Sequence, residues 1–194
     1  MAKDKYWERP SGVHLRSSRQ IGGRVESLAL HGNVLALGCG AHVALYDVGV
    51  PDRPAYLGAS GLLTQDPQMD DLGGIALGPR RAVVNVSFDV FALDIADPRS
   101  PGVIGELDLD DHTYDPSAVL LGDLLFLCSD HFLQVWDLGQ ANGPVRLHRY
   151  RGFGHGRLAT DGTLLYWRGY ERLRVLHPAD PEHLQELGSC PCPP

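Results

Sequence analysis

No run in the 194 residues approaches the roughly 18 consecutive apolar positions that a membrane-spanning helix needs, and the opening MAKDKYWERPSGVHLRSSRQ has no apolar core for a signal peptide. A cytoplasmic protein without membrane contact is expected. Basic residues are also few, with 17 Lys and Arg against 24 Asp and Glu for a net charge of −7. Nucleic acid is therefore not an expected partner, because phosphate binding needs a clustered basic face. Catalytic signatures are missing: there is no G-x-S-x-G turn, no H-E-x-x-H and no G-x-x-x-x-G-K-[ST], and GFGHGR (Gly152 to Arg157) lacks the strand-and-helix setting of a dinucleotide loop. Cysteine numbers only four. Cys39 and Cys128 end apolar runs, where buried thiols are expected, and Cys190 and Cys192 sit in the tail SCPCPP, read as inert rather than as a metal half-site or a strained disulfide.

What is present is a core-forming composition punctuated by turns. Hydrophobic residues make up 43 %, enough for a buried core, and 23 Gly with 14 Pro without a collagen-like period point to many short elements. An all-β chain follows. Charge is unevenly spread: Asp66 to Asp137 holds fourteen Asp/Glu against three Arg, whereas Arg146 to Arg174 holds seven Arg against Asp161 and Glu171. These stretches are either solvated edges or surfaces that meet, within the fold or between subunits.

One phrase recurs. VALYDVGVPDRPAYLG (Val43 to Gly58) and VFALDIADPRSPGVIG (Val90 to Gly105) share Asp47/Asp94, Pro51/Pro98, Pro54/Pro101 and Gly58/Gly105 in register. A third copy, FLQVWDLGQANGPVRLH, keeps Asp137 and Pro144; a fourth, RLRVLHPADPEHLQELG, has His177 at the Asp position and keeps Gly188. The anchors at 47, 94, 137 and 177 step by 47, 43 and 40 residues. Upstream of each lie two apolar runs around a turn: SLALHGNVLALGC, GIALGPRRAVVNV, AVLLGDLLFLCSD and RLATDGTLLYWRG. Each unit thus predicts four antiparallel strands. The fold class expected is an all-β propeller of about four four-stranded blades, its ring closed within the chain or by dimerisation. The blades are expected at about 23–66, 67–112, 113–154 and 155–188, after an N-terminal segment 1–22 with a closing strand and before a tail 189–194. In the phrase itself, the Asp is expected to cap an Asx-type turn and the second Pro to open the outer strand, where a missing N–H costs little.

The pattern V-x-L/V-x-D-I/V-x-x-P-x-x-P-x-x-x/L-G resembles the LVIVD repeat of bacterial and archaeal β-propellers, over about Arg24 to Gly188. Ala141 replaces the first Pro in the third copy, and His177 the Asp in the fourth. The resemblance implies a propeller engaged in interaction work and carries no catalytic motif. The WD40 family is the alternative, through VWDL (Val135 to Leu138) and Gly154-His155.

Segments joining one blade's outer strand to the next blade's inner strand gather around the axis of such a ring. Asp70, Asp71, Asp111, His112, Asp115 and His155 lie in them and are the candidate ligand-binding residues, a set suited to a divalent metal or a general base. Aromatics including Tyr150, Phe153 and Tyr170 are candidate anchors, while Trp136 and Tyr166 are expected between blades. No catalytic residue and no cofactor beyond a candidate divalent metal is assigned. The function expected is a non-enzymatic scaffold for a protein or peptide, with a homodimer as one way to close the ring; the alternative is an enzyme or metal-binding protein using the Asp/His set.

Overall fold

The computed structural model describes residues 25–64, 72–109 and 116–192. Among these residues, sixteen strands form four sheets. Blade 1 comprises β1 (Val25–His31), β2 (Val34–Cys39), β3 (His42–Asp47) and β4 (Ala55–Ala59). Blade 2 comprises β5 (Leu72–Leu77), β6 (Arg81–Val86), β7 (Asp89–Asp94) and β8 (Gly102–Leu107). Blade 3 comprises β9 (Ser117–Leu121), β10 (Leu124–Cys128), β11 (Phe132–Asp137) and β12 (Val145–Arg151), and blade 4 comprises β13 (Arg157–Thr160), β14 (Leu165–Arg168), β15 (Arg172–His177) and β16 (Gln185–Pro191). Every sheet is an antiparallel meander in chain order.

The sequence chemistry explains the meander. Glycines at the left-handed φ of +56° (Gly32) and +63° (Gly122) open the tight first turns of blades 1 and 3, a backbone conformation other residues adopt at a cost. The third strands carry apolar residues on both faces: HVALYD buries four successive residues, as does FLQVWD, which contributes to the cores shared with blades 2 and 4. Pro54, Pro101 and Pro144 immediately precede β4, β8 and β12, so the ring without an N–H stands at the mouth of each outer strand.

Three cores glue consecutive blades together. Ala36, Val43 and Leu45 of blade 1 pack with Leu72, Val84 and Leu93 of blade 2. Val83, Val90 and Ala92 of blade 2 meet Leu125, Leu127 and Trp136 of blade 3. Phe126, Leu133 and Val135 of blade 3 meet Leu165, Trp167 and Leu176 of blade 4. Trp136 lies between blades as expected; Tyr166 does not, because its neighbours Leu165 and Trp167 take the face towards blade 3 and alternation turns it away.

The strands β1, β5, β9 and β13 form the inner wall, β1 packing on β5, β5 on β9 and β9 on β13. Side chains lock two of these steps: the Leu72 amide donates to Glu26 Oε2 (3.0 Å) and the Leu158 amide to Ser117 Oγ (2.9 Å). No comparable contact among the described residues joins β13 to β1. Where the inner strands end, His31, Leu77, Leu120 and Asp161 border a cavity of about 380 Å³ on the axis.

Candidate functional site

At the other end of the inner strands, a cleft of about 400 Å³ opens between blades 3 and 4. Three turns build it. Cys128, Ser129 and Asp130 come from the β10–β11 turn, His155, Gly156 and Arg157 from the connection into β13, and Arg168 and Tyr170 from the β14–β15 turn.

The connection Gly152 to Gly156 lies flat on its neighbours because two glycines let it. A Cβ at Gly154 would come within 2.1 Å of the Asp130 carbonyl oxygen, and one at Gly156 within 1.9 Å of the Trp167 indole nitrogen. Between them His155 takes a left-handed φ of +51°, which for a residue with a Cβ costs of order 1 kcal/mol and persists only when its surroundings enforce it. They do: the His155 amide donates to the Ser129 carbonyl (3.1 Å), and its Nδ1 lies 3.3 Å from Asp130 Oδ1. Below, the Phe153 carbonyl accepts from Trp167 Nε1 (3.0 Å) and from the Cys128 thiol (2.8 Å). Arg174 lies over the rings of Phe153 and Trp167, closing the floor.

The rim is aromatic and basic. Tyr170 is 78 % exposed, and its ring centroid lies 6.2 Å from the His155 imidazole, which is 6.3 Å from that of His131. Arg157 and Arg168 are direct cross-strand partners on β13 and β14, which puts two guanidinium side chains on one face of the sheet at the cleft edge. Of the seven arginines between 146 and 174, Arg146, Arg149 and Arg174 instead stack on aromatic rings.

Cys128, His155 and Asp130 border the same cleft, but the thiol is set for packing. It donates to a carbonyl, and burial pushes it above the ordinary thiol range despite the Gly156 amide, the Trp167 N–H and the Arg157 charge acting the other way. A thiol held protonated is a poor nucleophile.

Of the residues expected to converge, His155 lies at this cleft; Asp70, Asp71, Asp111, His112 and Asp115 fall outside the described residues. Among the described residues no group of three His, Cys, Asp or Glu is placed to hold a metal ion. Sequence reasoning missed Asp130, Arg157 and Arg168. The signal was in the strand pattern: the β10–β11 and β14–β15 turns reach the same end of the blades as the connections, so SD (Ser129-Asp130) and WRGY (Trp167 to Tyr170) were bound to meet GFGHGR.

Four consecutive four-stranded antiparallel sheets around shared inner strands decide the architecture. The fold is a β-propeller. Solved structures agree: the chain resembles the periplasmic gluconolactonase of Pseudomonas aeruginosa (TM-score 0.59, 16 % identity, 87 % of this chain and 58 % of that one) and a chain of the mitotic checkpoint complex (TM-score 0.62, 16 % identity, 90 % and 53 %). It also resembles the computationally designed Ika4 protein, at TM-score 0.53 and 13 % identity over 90 % of this chain and 97 % of that one. Of the gluconolactonase, the checkpoint chain and three other similar structures, the chain spans between 39 and 58 % of the length. At these identities the likeness concerns the propeller fold alone. No family model matches the chain, and no curated protein does. No helix among the described residues is long and apolar enough to cross a membrane.

Proposed function

We propose that this chain is a non-enzymatic propeller scaffold of the LVIVD-repeat type, working in the cytoplasm, which binds an acidic peptide segment of a protein partner in the cleft between blades 3 and 4. The observation that carries the reading is the pairing of Arg157 with Arg168 beside exposed Tyr170. Guanidinium groups form strong charge-assisted hydrogen bonds with carboxylates, so an acidic side chain is the ligand that this edge of the cleft suits. Tyr and Arg are also the side chains that most often anchor interfaces.

The enzymatic alternative draws less support. Of the nucleophile-type side chains at the cleft, the Cys128 thiol is buried and donates to the Phe153 carbonyl, and the Ser129 hydroxyl donates to the Phe132 carbonyl. Free thiols at Cys39, Cys128, Cys190 and Cys192 suit a reducing compartment.

Selection from a random peptide library on the immobilised full chain tests the reading. Enriched peptides are expected to carry Asp or Glu and to lose binding to the Tyr170→Ala and Arg168→Gln variants. Peptides that bind both variants as well as the parent would refute it.

A further inference from the structure

The repeated glycine of the blade phrase stands eleven residues after each anchor, at Gly58, Gly105 and Gly188, with His148 in the third copy. In the first two blades the next blade explains it. A Cβ at Gly58 would lie 2.5 Å from the Arg99 carbonyl oxygen and 2.8 Å from that of Pro98, in the turn before β8. A Cβ at Gly105 would lie 2.5 Å from Pro144 Cδ, in the turn before β12. The glycine is thus a seat on the outer strand of one blade for the last turn of the blade that follows. Blade 3 seats its successor by other means: the Tyr150 hydroxyl donates to the Pro181 carbonyl (3.1 Å) and accepts from the Leu184 amide (2.9 Å).

At Gly188 the seat is present, and among the described residues it is empty. None of them lies within 4 Å of a Cβ built there, and all seven residues of β16 are exposed. The residue before the seat follows suit: Leu57 packs into the core of blades 1 and 2 and Ile104 into that of blades 2 and 3, whereas Leu187 is 51 % exposed. The third strand shows the same difference, since β3 and β11 each bury four residues and β15 buries Leu176 alone. Blade 4 therefore carries the surface of a blade with a successor.

We infer that the successor is blade 1 of a second copy of this chain, its turn Val50 to Pro54 resting on Gly188 and Leu187. That turn, GVPDRP, is the register equivalent of ADPRSP, whose carbonyls rest on Gly58. The surface and the turn belong to different ends of the repeat array, so each copy offers one of each. A two-fold axis then makes both junctions identical and closes two chains into one ring of eight blades, a head-to-tail contact that ends in closure rather than in a filament. The interface is separate from the cleft between blades 3 and 4, so it stands or falls independently of the peptide-binding reading.

Sedimentation of the full chain tests it. The parent is expected at the mass of two chains, and Gly188→Val to raise the dissociation constant about tenfold or more, equivalent to about 1.4 kcal/mol. Leu187→Asp on the seat and Val50→Asp on the turn are expected to act alike, and all three variants to keep the parent's circular dichroism. A parent of one-chain mass, a higher open-ended series, or a two-chain species whose dissociation none of the three variants alters would overturn the inference.

Discussion

Asp47, Asp94 and Asp137 each accept a hydrogen bond of 2.8 Å through Oδ1 from the amide two residues on, Gly49, Ala96 and Gly139. In the fourth copy His177 does the same work with a ring nitrogen, Nδ1 accepting from Ala179 at 3.3 Å. The position requires an acceptor near the backbone, and aspartate supplies a shorter, charged one. His177→Asp is accordingly expected to raise stability by about 0.5–1 kcal/mol, read from urea denaturation midpoints at unchanged slope. Asp161 acts likewise in the β13–β14 turn, accepting from the amides of Thr163 and Leu164 and from the Tyr166 hydroxyl. Those bonds hold its carboxyl below the ordinary range, the Leu164 amide contributing most. A carboxyl lowered by folding stabilises above its unfolded value, and that contribution disappears as pH falls through the folded value. Between about pH 5 and about pH 3 the parent should therefore lose more thermal stability than Asp161→Asn, which cannot titrate. Equal losses would show that this turn does not respond to acid.

At the scale of the element, the spacing of the repeated glycine makes a prediction with its own control. Gly58→Ala drives a Cβ into backbone of the next blade, which cannot swing aside as a side chain can, and should cost about 1–3 kcal/mol. Gly188→Ala meets open space and should leave the melting of a single chain nearly unchanged. Much at this scale was legible in the sequence. Alternation, turn residues and the Asp–Pro–Pro–Gly spacing located all four third strands, because each ends at the turn whose acceptor and prolines make up the phrase. The cleft was harder to see. Arg157 and Arg168 are eleven residues apart, and only the pairing register of β13 with β14 sets them opposite one another. Register depends on where a hairpin turns. Asp130 was overlooked for a related reason: it sits in a turn that reads as punctuation until its end of the blade is known. His155 stands out in the sequence because it lies in a connecting segment, a part of the chain that the repeat does not explain.

For the whole molecule, the blades divide the work. Blades 1 and 2 keep the phrase intact, and Arg81 pairs with Asp94 within blade 2 (2.9 Å) while reaching Asp123 of blade 3 (3.5 Å). Blades 3 and 4 wear the phrase down and gather arginine and aromatic side chains at the cleft. Loss of the repeat signature and the gathering of arginine and aromatic side chains fall in the same half of the chain. The deviations from the repeat, Arg157 with Arg168, Tyr170 and the strained His155, meet in one cleft rather than scatter. The most direct measurement is calorimetric titration of a selected acidic peptide into the parent and into Arg168→Gln. Binding by the parent, weakened about tenfold in the variant and in added salt, is the expected result. Affinity unchanged by Arg168→Gln, or unaffected when the peptide's acidic residues are replaced by their amides, would contradict an arginine-lined peptide site between blades 3 and 4.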